Sequence, residues 1–345
     1  MLSIFINNCP NRGLTKVIKI IGAIIRWVLP VAAAAYIVFS IARIPAGQVQ
    51  FWKQSISFSA FTLVIITAVL LLTVVNWLFE AMKWKQLAGR FESVSLKRAF
   101  FGVLFGVSLG MITPRRAGEF AGRVAILKPE NQVLGLAINT AGSFTQFLVT
   151  LLFGHVGVAM ALISKTGSYS PSREGELLLF SGMALLLAVA MVLYAKKTLN
   201  WLQQKKWFPK PLKIIEVVTN LTVSEMASLF WLSSLRYAIF ITQFHLLLML
   251  FGLELMFYDT FMALSIIYLI MVGLPVSGLA EAGIRGSVAL FVFSLYLGQQ
   301  LAGFHALELT IVSATMLLWF FNLALPGIAG VALSLGGKVH QPKQT

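Results

Sequence analysis

The chain is poor in cysteine and in charge. Cys9 is the only cysteine among 345 residues, so no intramolecular disulfide can form, and nothing about redox compartment follows from it. Twelve acidic residues face 27 Lys and Arg, and charged residues make up only 11% of the whole. Such a composition is too apolar for a soluble fold: 58% of residues are hydrophobic and the mean hydropathy is +0.86, more apolar surface than a soluble core can hide. The four histidines, at 155, 245, 305 and 340, show no metal-ligand spacing with one another or with acids, so no metal is expected. No Walker motif is present, which leaves nucleotide-driven pumping by this chain alone unsupported, and no cofactor is expected.

What the chain has instead is a series of long apolar runs. A helix needs about 20 apolar residues to cross the ~30 Å hydrocarbon layer. Residues 58–79, 133–163, 177–195, 228–251 and 310–335 reach about that length with one charge or none. An earlier run at 20–42 follows Arg12, Lys16 and Lys19; it is too long for a signal-peptide core and is expected to remain as a first membrane helix. The expected class is therefore all-α: one polytopic bundle of about seven to nine spans, including one or two re-entrant broken helices, with a possible inverted repeat.

The formal charge of +15 would suggest nucleic acid in a soluble protein, but here it is topology information. Lys and Arg gather on cytoplasmic loops. Connectors 83–98 (Lys83, Lys85, Arg90, Lys97, Arg98) and 196–213 (six Lys) are the richest, whereas 164–176, 252–260 and 304–309 carry no net positive charge. The basic connectors are accordingly expected inside and the amino terminus cytoplasmic. An amphipathic segment near 212–227 is expected on the inner surface, with Trp201 and Trp207 at the interface. The bundle then divides into a first half at about 17–195, a linker and surface helix at 196–227, a second half at 228–337 and a polar tail at 338–345.

Two short runs break this pattern. Ala99 to Thr113 is 15 residues, roughly 22 Å of helix, and stops at Pro114, Arg115 and Arg116. If it crossed, four basic residues would lie outside and the crossings between the basic loops would become odd. A re-entrant pair of half-helices at about 99–113 and 116–127 resolves both objections, and a broken backbone at that depth must be buried in protein or line a wet cavity. Gly102, Gly106 and Gly110, then Gly118 and Gly122, form small-residue ribbons that allow close helix approach. Phe261 to Leu274 likewise ends at Pro275, followed by Ser277 and Gly278, although its trailing arm is long enough to span. After each break a Glu is followed four residues later by an Arg: Glu119 with Arg123, and Glu281 with Arg285. Interrupted helices at matching places in two halves are the best sequence pointer to a transporter's substrate site.

An ionisable group at bilayer depth costs ~2.5–3.5 kcal/mol on insertion scales, so Glu119 and Glu281 require compensation. An Arg at i+4 supplies it, while the break frees backbone N–H groups that can face an anion. The pairs could equally be internal staples of the broken helices. Arg115 and Arg116, beside Gly118, are candidate phosphate forks, or anchors reaching toward inner-leaflet head groups. On 131–163, Asn139, Ser143, Gln146 and Thr150 share one helical face and either line a wet path or bond to the broken helix. Thr73, Asn76 and Glu80 make a shorter stripe on 58–82, and Asn322 stands near the middle of the last helix. Gly106-Val107-Ser108-Leu109-Gly110 matches a nucleophile-elbow pattern, but inside an apolar helix it reads as packing.

Pro114-Arg115-Arg116-Ala117-Gly118-Glu119 and Pro275-Val276-Ser277-Gly278-Leu279-Ala280-Glu281, each followed by Arg, resemble the two signature breaks of the lysylphosphatidylglycerol synthase transmembrane, flippase-like family. The resemblance runs through the chain in helix order and length. It implies a bacterial cytoplasmic-membrane protein that moves aminoacylated or other anionic phospholipids, or polyprenyl-linked lipids, between leaflets, with Glu119, Arg123, Glu281 and Arg285 at a head-group cavity. The family usually has Gly where Arg115 stands and a Gly pair where Ser277-Gly278 occurs, so the head group is open. The synthase activity belongs to a soluble domain beyond the membrane region, so aminoacyl transfer is not expected of these residues. The alternatives are a secondary transporter of a small anion and a non-catalytic partner of a separate lipid-modifying enzyme. Membrane lipids are the expected partners, with a homo-oligomer possible and no nucleic acid.

Overall fold

The computed structural model describes residues 59–113, 116–164, 220–274, 279–298 and 306–335, with scattered positions between 35 and 50 and between 182 and 186. Among these, all regular elements are helical. The helices are α1 (Ala60–Ala88), α2 (Leu96–Ile112), α3 (Ala117–Val124), α4 (Gln132–Ser164), α5 (Val223–Leu250), α6 (Phe257–Gly273), α7 (Leu279–Leu297), α8 (Leu307–Trp319) and α9 (Leu325–Leu335). A π-helical segment, Phe320–Ala324, joins α8 to α9 with no non-helical residue between them. Among the described residues five helical stretches are long and apolar enough to cross a membrane: Ala60–Ala88, Pro129–Leu162, Val223–Leu250, Ala280–Leu297 and Leu307–Leu335. Phe61, Leu63, Val64, Leu71 and Val74 of α1 are exposed, an apolar outer surface suited to lipid rather than water.

Some expected elements lie outside the described residues, and others begin or end elsewhere than the spacing predicts. The runs at 20–42 and 177–195 fall largely outside the described residues, as does the second basic linker. α1 starts where Ser59 accepts the Thr62 N–H and continues to Ala88, six residues past the expected end. Lys83 is therefore a buried helical residue rather than part of a connector. The expected surface helix at 212–227 is overrun at its end by α5. Thr222 and Glu225 cap each other's backbone N–H groups, which starts α5 at Val223.

The glycine ribbon folds α2 and α3 into an antiparallel hairpin. A Cβ at Gly122 would stand 2.5 Å from the Gly106 nitrogen, one at Gly106 would stand 2.6 Å from the Glu119 carbonyl oxygen, and one at Gly102 would meet Ile126. Backbone thus lies on backbone, the contact that only glycine allows. The same hairpin backs onto α9, where a Cβ at Gly327 would meet Met111 and one at Gly330 would meet Leu104 and Ser108. Ser108 Oγ lies 3.1 Å from the Leu104 carbonyl and 2.6 Å from the Gly327 carbonyl, so it is a packing hydroxyl. Gly122→Val should separate the hairpin and cost at least about 2 kcal/mol in a thermal unfolding measurement. Gly283→Ala has open space around its Cβ and should change stability by no more than about 0.5 kcal/mol.

Two large apolar clusters and a small one around Leu148 and Leu151 hold the rest of the described residues. One joins Tyr237, Phe244 and Leu247 of α5 to Leu264 of α6, Phe293 of α7 and Ile311 of α8. The other joins Trp84 and Leu87 of α1 to Val103, Val124 and Ile138 of α2, α3 and α4. α2 and α6 each span 17 residues, but α3 has 8 and α7 has 19. The two halves therefore match up to the break and diverge after it.

Candidate functional site

Where α2 ends, Thr113 leaves the helix and Arg116 takes the left-handed region, at φ 55° and ψ 27°. This is an uncommon backbone for a residue with a Cβ, and such strain gathers at functional positions. Its effect is to start α3 at once and to hold the Arg116 side chain between two carboxylates. Arg116 Nε is 3.2 Å from Glu119, and its Nη1 is 3.5 Å from Glu281 at the second break. One guanidinium thus joins the two interrupted regions across 165 residues of sequence.

From Arg116 the charges run in both directions as an alternating chain. Glu119 also accepts from Arg123 at 2.8 Å, the expected i,i+4 pair, and Arg123 reaches Glu80 at 2.7 Å. Glu80 in turn holds Lys83 at 3.3 Å and pairs with Arg236 of α5. At the other end Glu281 pairs with Arg285, the second expected i,i+4 pair. Side chains from α1, α3, α5 and α7 meet here. Five cations stand against three carboxylates, an excess of two positive charges in a group of largely buried side chains.

A neutral polar chain extends this network. Arg236 Nε donates to Asn76 Oδ1 at 2.9 Å, Asn76 Nδ2 donates to Asn322 Oδ1 at 3.2 Å, and Asn322 Nδ2 donates to Gln243 Oε1 at 2.9 Å. Gln243 Nε2 ends the series on Thr73 Oγ1 and the Val69 carbonyl, each at 2.9 Å. Asn322 sits on the π-helical segment, a local widening of the helix often found at functional positions.

Beside these groups lies a cavity of about 250 Å³. Arg116, Glu119, Arg236 and Arg285 form its charged wall. Trp77, Phe240, Trp319 and Leu323 form the apolar one, with Asn322 between. Arg236 sits over the Trp77 ring at 5.5 Å and the Phe240 ring at 6.0 Å, and Arg285 over the Tyr268 ring at 5.5 Å, which positions both guanidiniums. Three guanidiniums and one carboxylate thus line the cavity, a wall with a surplus of positive charge.

Of the residues singled out from sequence, Arg116, Glu119, Arg123, Asn139, Glu281 and Arg285 come together. Asn139 accepts from Arg123 at 3.0 Å, and Gln146 stands at the margin, 3.5 Å from Arg236. Gly118 takes a packing place. Its N–H is bound to Thr113 Oγ1 at 2.8 Å and its Cβ position is filled by the Leu109 carbonyl oxygen, so this amide does not face an anion. Ser143 and Thr150 bond carbonyls of their own helix. Pro114, Arg115 and residues 275–278, with Gly278 among them, lie outside the described residues. Arg236, Lys83 and Gln243 were not anticipated; Arg236 had a signal, being the lone charge in the 228–251 run. Among the described residues no group of His, Cys, Asp and Glu is arranged to hold a metal. Compared with family models, with curated proteins and with solved structures, the chain matches none.

Proposed function

We propose that this chain is a lipid-handling transporter that moves a lipid with an anionic head group between leaflets of a cytoplasmic membrane. In this reading α2 and α3 form a re-entrant hairpin, and the cavity at Arg116 receives the head group while the acyl chains stay in lipid. The observation that carries it is the excess of positive charge at a cavity where the two interrupted regions are joined by one arginine. Burying so many charges is a poor way to stabilise a bundle, because apolar side chains of equal volume usually do as well or better. A field that attracts an anion is what the arrangement supplies instead. The resemblance of the two break motifs to those of the flippase-like family supports the same reading.

The test is leaflet exchange in sealed vesicles. Fluorescent phosphatidylglycerol should change leaflet faster in vesicles that hold the protein than in protein-free vesicles, and equal rates would overturn the proposal. A second reading, secondary transport of a small anion, is favoured by the cavity volume of about 250 Å³, which suits a head group or free anion alone. Uptake of labelled phosphate into the same vesicles, without lipid movement, would establish it in place of the first.

A further inference from the structure

The cavity offers more donors than acceptors. The indole N–H groups of Trp77 and Trp319 and the Nε–H of Arg285 are buried, and none has an acceptor among the described residues. All three residues line the cavity, together with Arg116 and Arg236. The five come from separate parts of the fold: α1, the turn into α3, α5, α7 and α8. Buried donors without partners are costly to leave unmade, and an acceptor-rich guest would satisfy them. Acceptors on the cavity wall are already engaged. Glu119 takes Arg116 and Arg123, and Asn322 Oδ1 takes Asn76.

We infer that the cavity selects a phosphate group whose head carries no ammonium. A tetrahedral phosphate presents oxygens in several directions and can meet donors arriving from separate helices, whereas a carboxylate presents two oxygens in one plane. An ammonium would face three guanidiniums and a surplus of positive charge. The aromatic wall offsets little of this, because Arg236 already lies over Trp77 and Phe240, which leaves an ammonium the Trp319 ring against a surplus of two positive charges. This inference rests on the proposed anion-binding role of the site and narrows its substrate.

Titration of the purified full chain in detergent with dioctanoyl phosphatidylglycerol, dioctanoyl phosphatidylethanolamine and inorganic phosphate tests it. Phosphatidylglycerol should bind about tenfold or more tighter than phosphatidylethanolamine. Trp77→Phe and Trp319→Phe keep the rings but remove the N–H donors. Each should weaken phosphatidylglycerol by about threefold to tenfold and leave phosphatidylethanolamine unchanged. Inorganic phosphate binding with the same tryptophan dependence and equal affinity would support the phosphate selectivity and identify free phosphate as the guest. Equal affinity for the two lipids, or full affinity in both tryptophan variants, would overturn the selectivity while leaving anion binding intact. Binding of none of the three would overturn the proposed function as well.

Discussion

Glu80→Ala should cost about 3–5 kcal/mol, the largest stability loss expected of any single charge removal in this chain. Glu80 is 4% exposed and, among the described residues, is the sole carboxylate paired with Lys83 and with Arg236, besides its contact with Arg123. Without it, three buried cations repel one another with only Glu119 left to hold one of them. The loss is one of uncompensated charge, so Arg236→Met combined with Glu80→Ala should recover part of it. Glu254→Ala, at an exposed position outside the network, should lie within about 0.5 kcal/mol of the parent. Thermal unfolding of the detergent-solubilised variants checks the series. Equal midpoints for Glu80→Ala and Glu254→Ala would show that Glu80 does not neutralise the cluster.

Arg116→Gln should have the largest effect on transport. The glutamine keeps a polar side chain but removes the charge that links Glu119 to Glu281. Glu119 and Glu281 would then be left with one guanidinium fewer between them, which lowers the attraction of the site for an anion and loosens the join between the breaks. Charge-assisted hydrogen bonds of this kind contribute about 1.5–3 kcal/mol each, so leaflet exchange of labelled phosphatidylglycerol should fall by about tenfold to a hundredfold. Arg116→Lys keeps the charge but not the fork, and should recover only part of the rate. An unchanged rate in Arg116→Gln would remove the bridge from the mechanism.

Hydropathy places four of the five long apolar helices in the described residues, because twenty apolar residues in a row have few other uses, and leaves the fifth, Ala280–Leu297, open. It also located the hairpin, since a run too short to cross, a proline and spaced glycines each constrain the backbone locally. The i,i+4 pairs were legible for the same reason: both partners lie on one helix. Partners from different helices were not. From sequence Glu80 reads as one member of a polar stripe and Lys83 as part of a basic connector, because only tertiary packing brings Arg123 and Arg236 to Glu80. Gln243 and Asn322 are 79 residues apart, and no local spacing links them. Gly118 shows the converse. Its place beside two arginines suggested an anion ligand, but the Thr113 hydroxyl claims its amide.

Native mass spectrometry of the protein extracted from its own membrane tests the central claim most directly. The parent chain should retain a phosphate-bearing lipid without an ammonium, and Arg116→Gln combined with Arg285→Gln should lose it. The same lipid complement on both would mean that the joined breaks do not hold a head group.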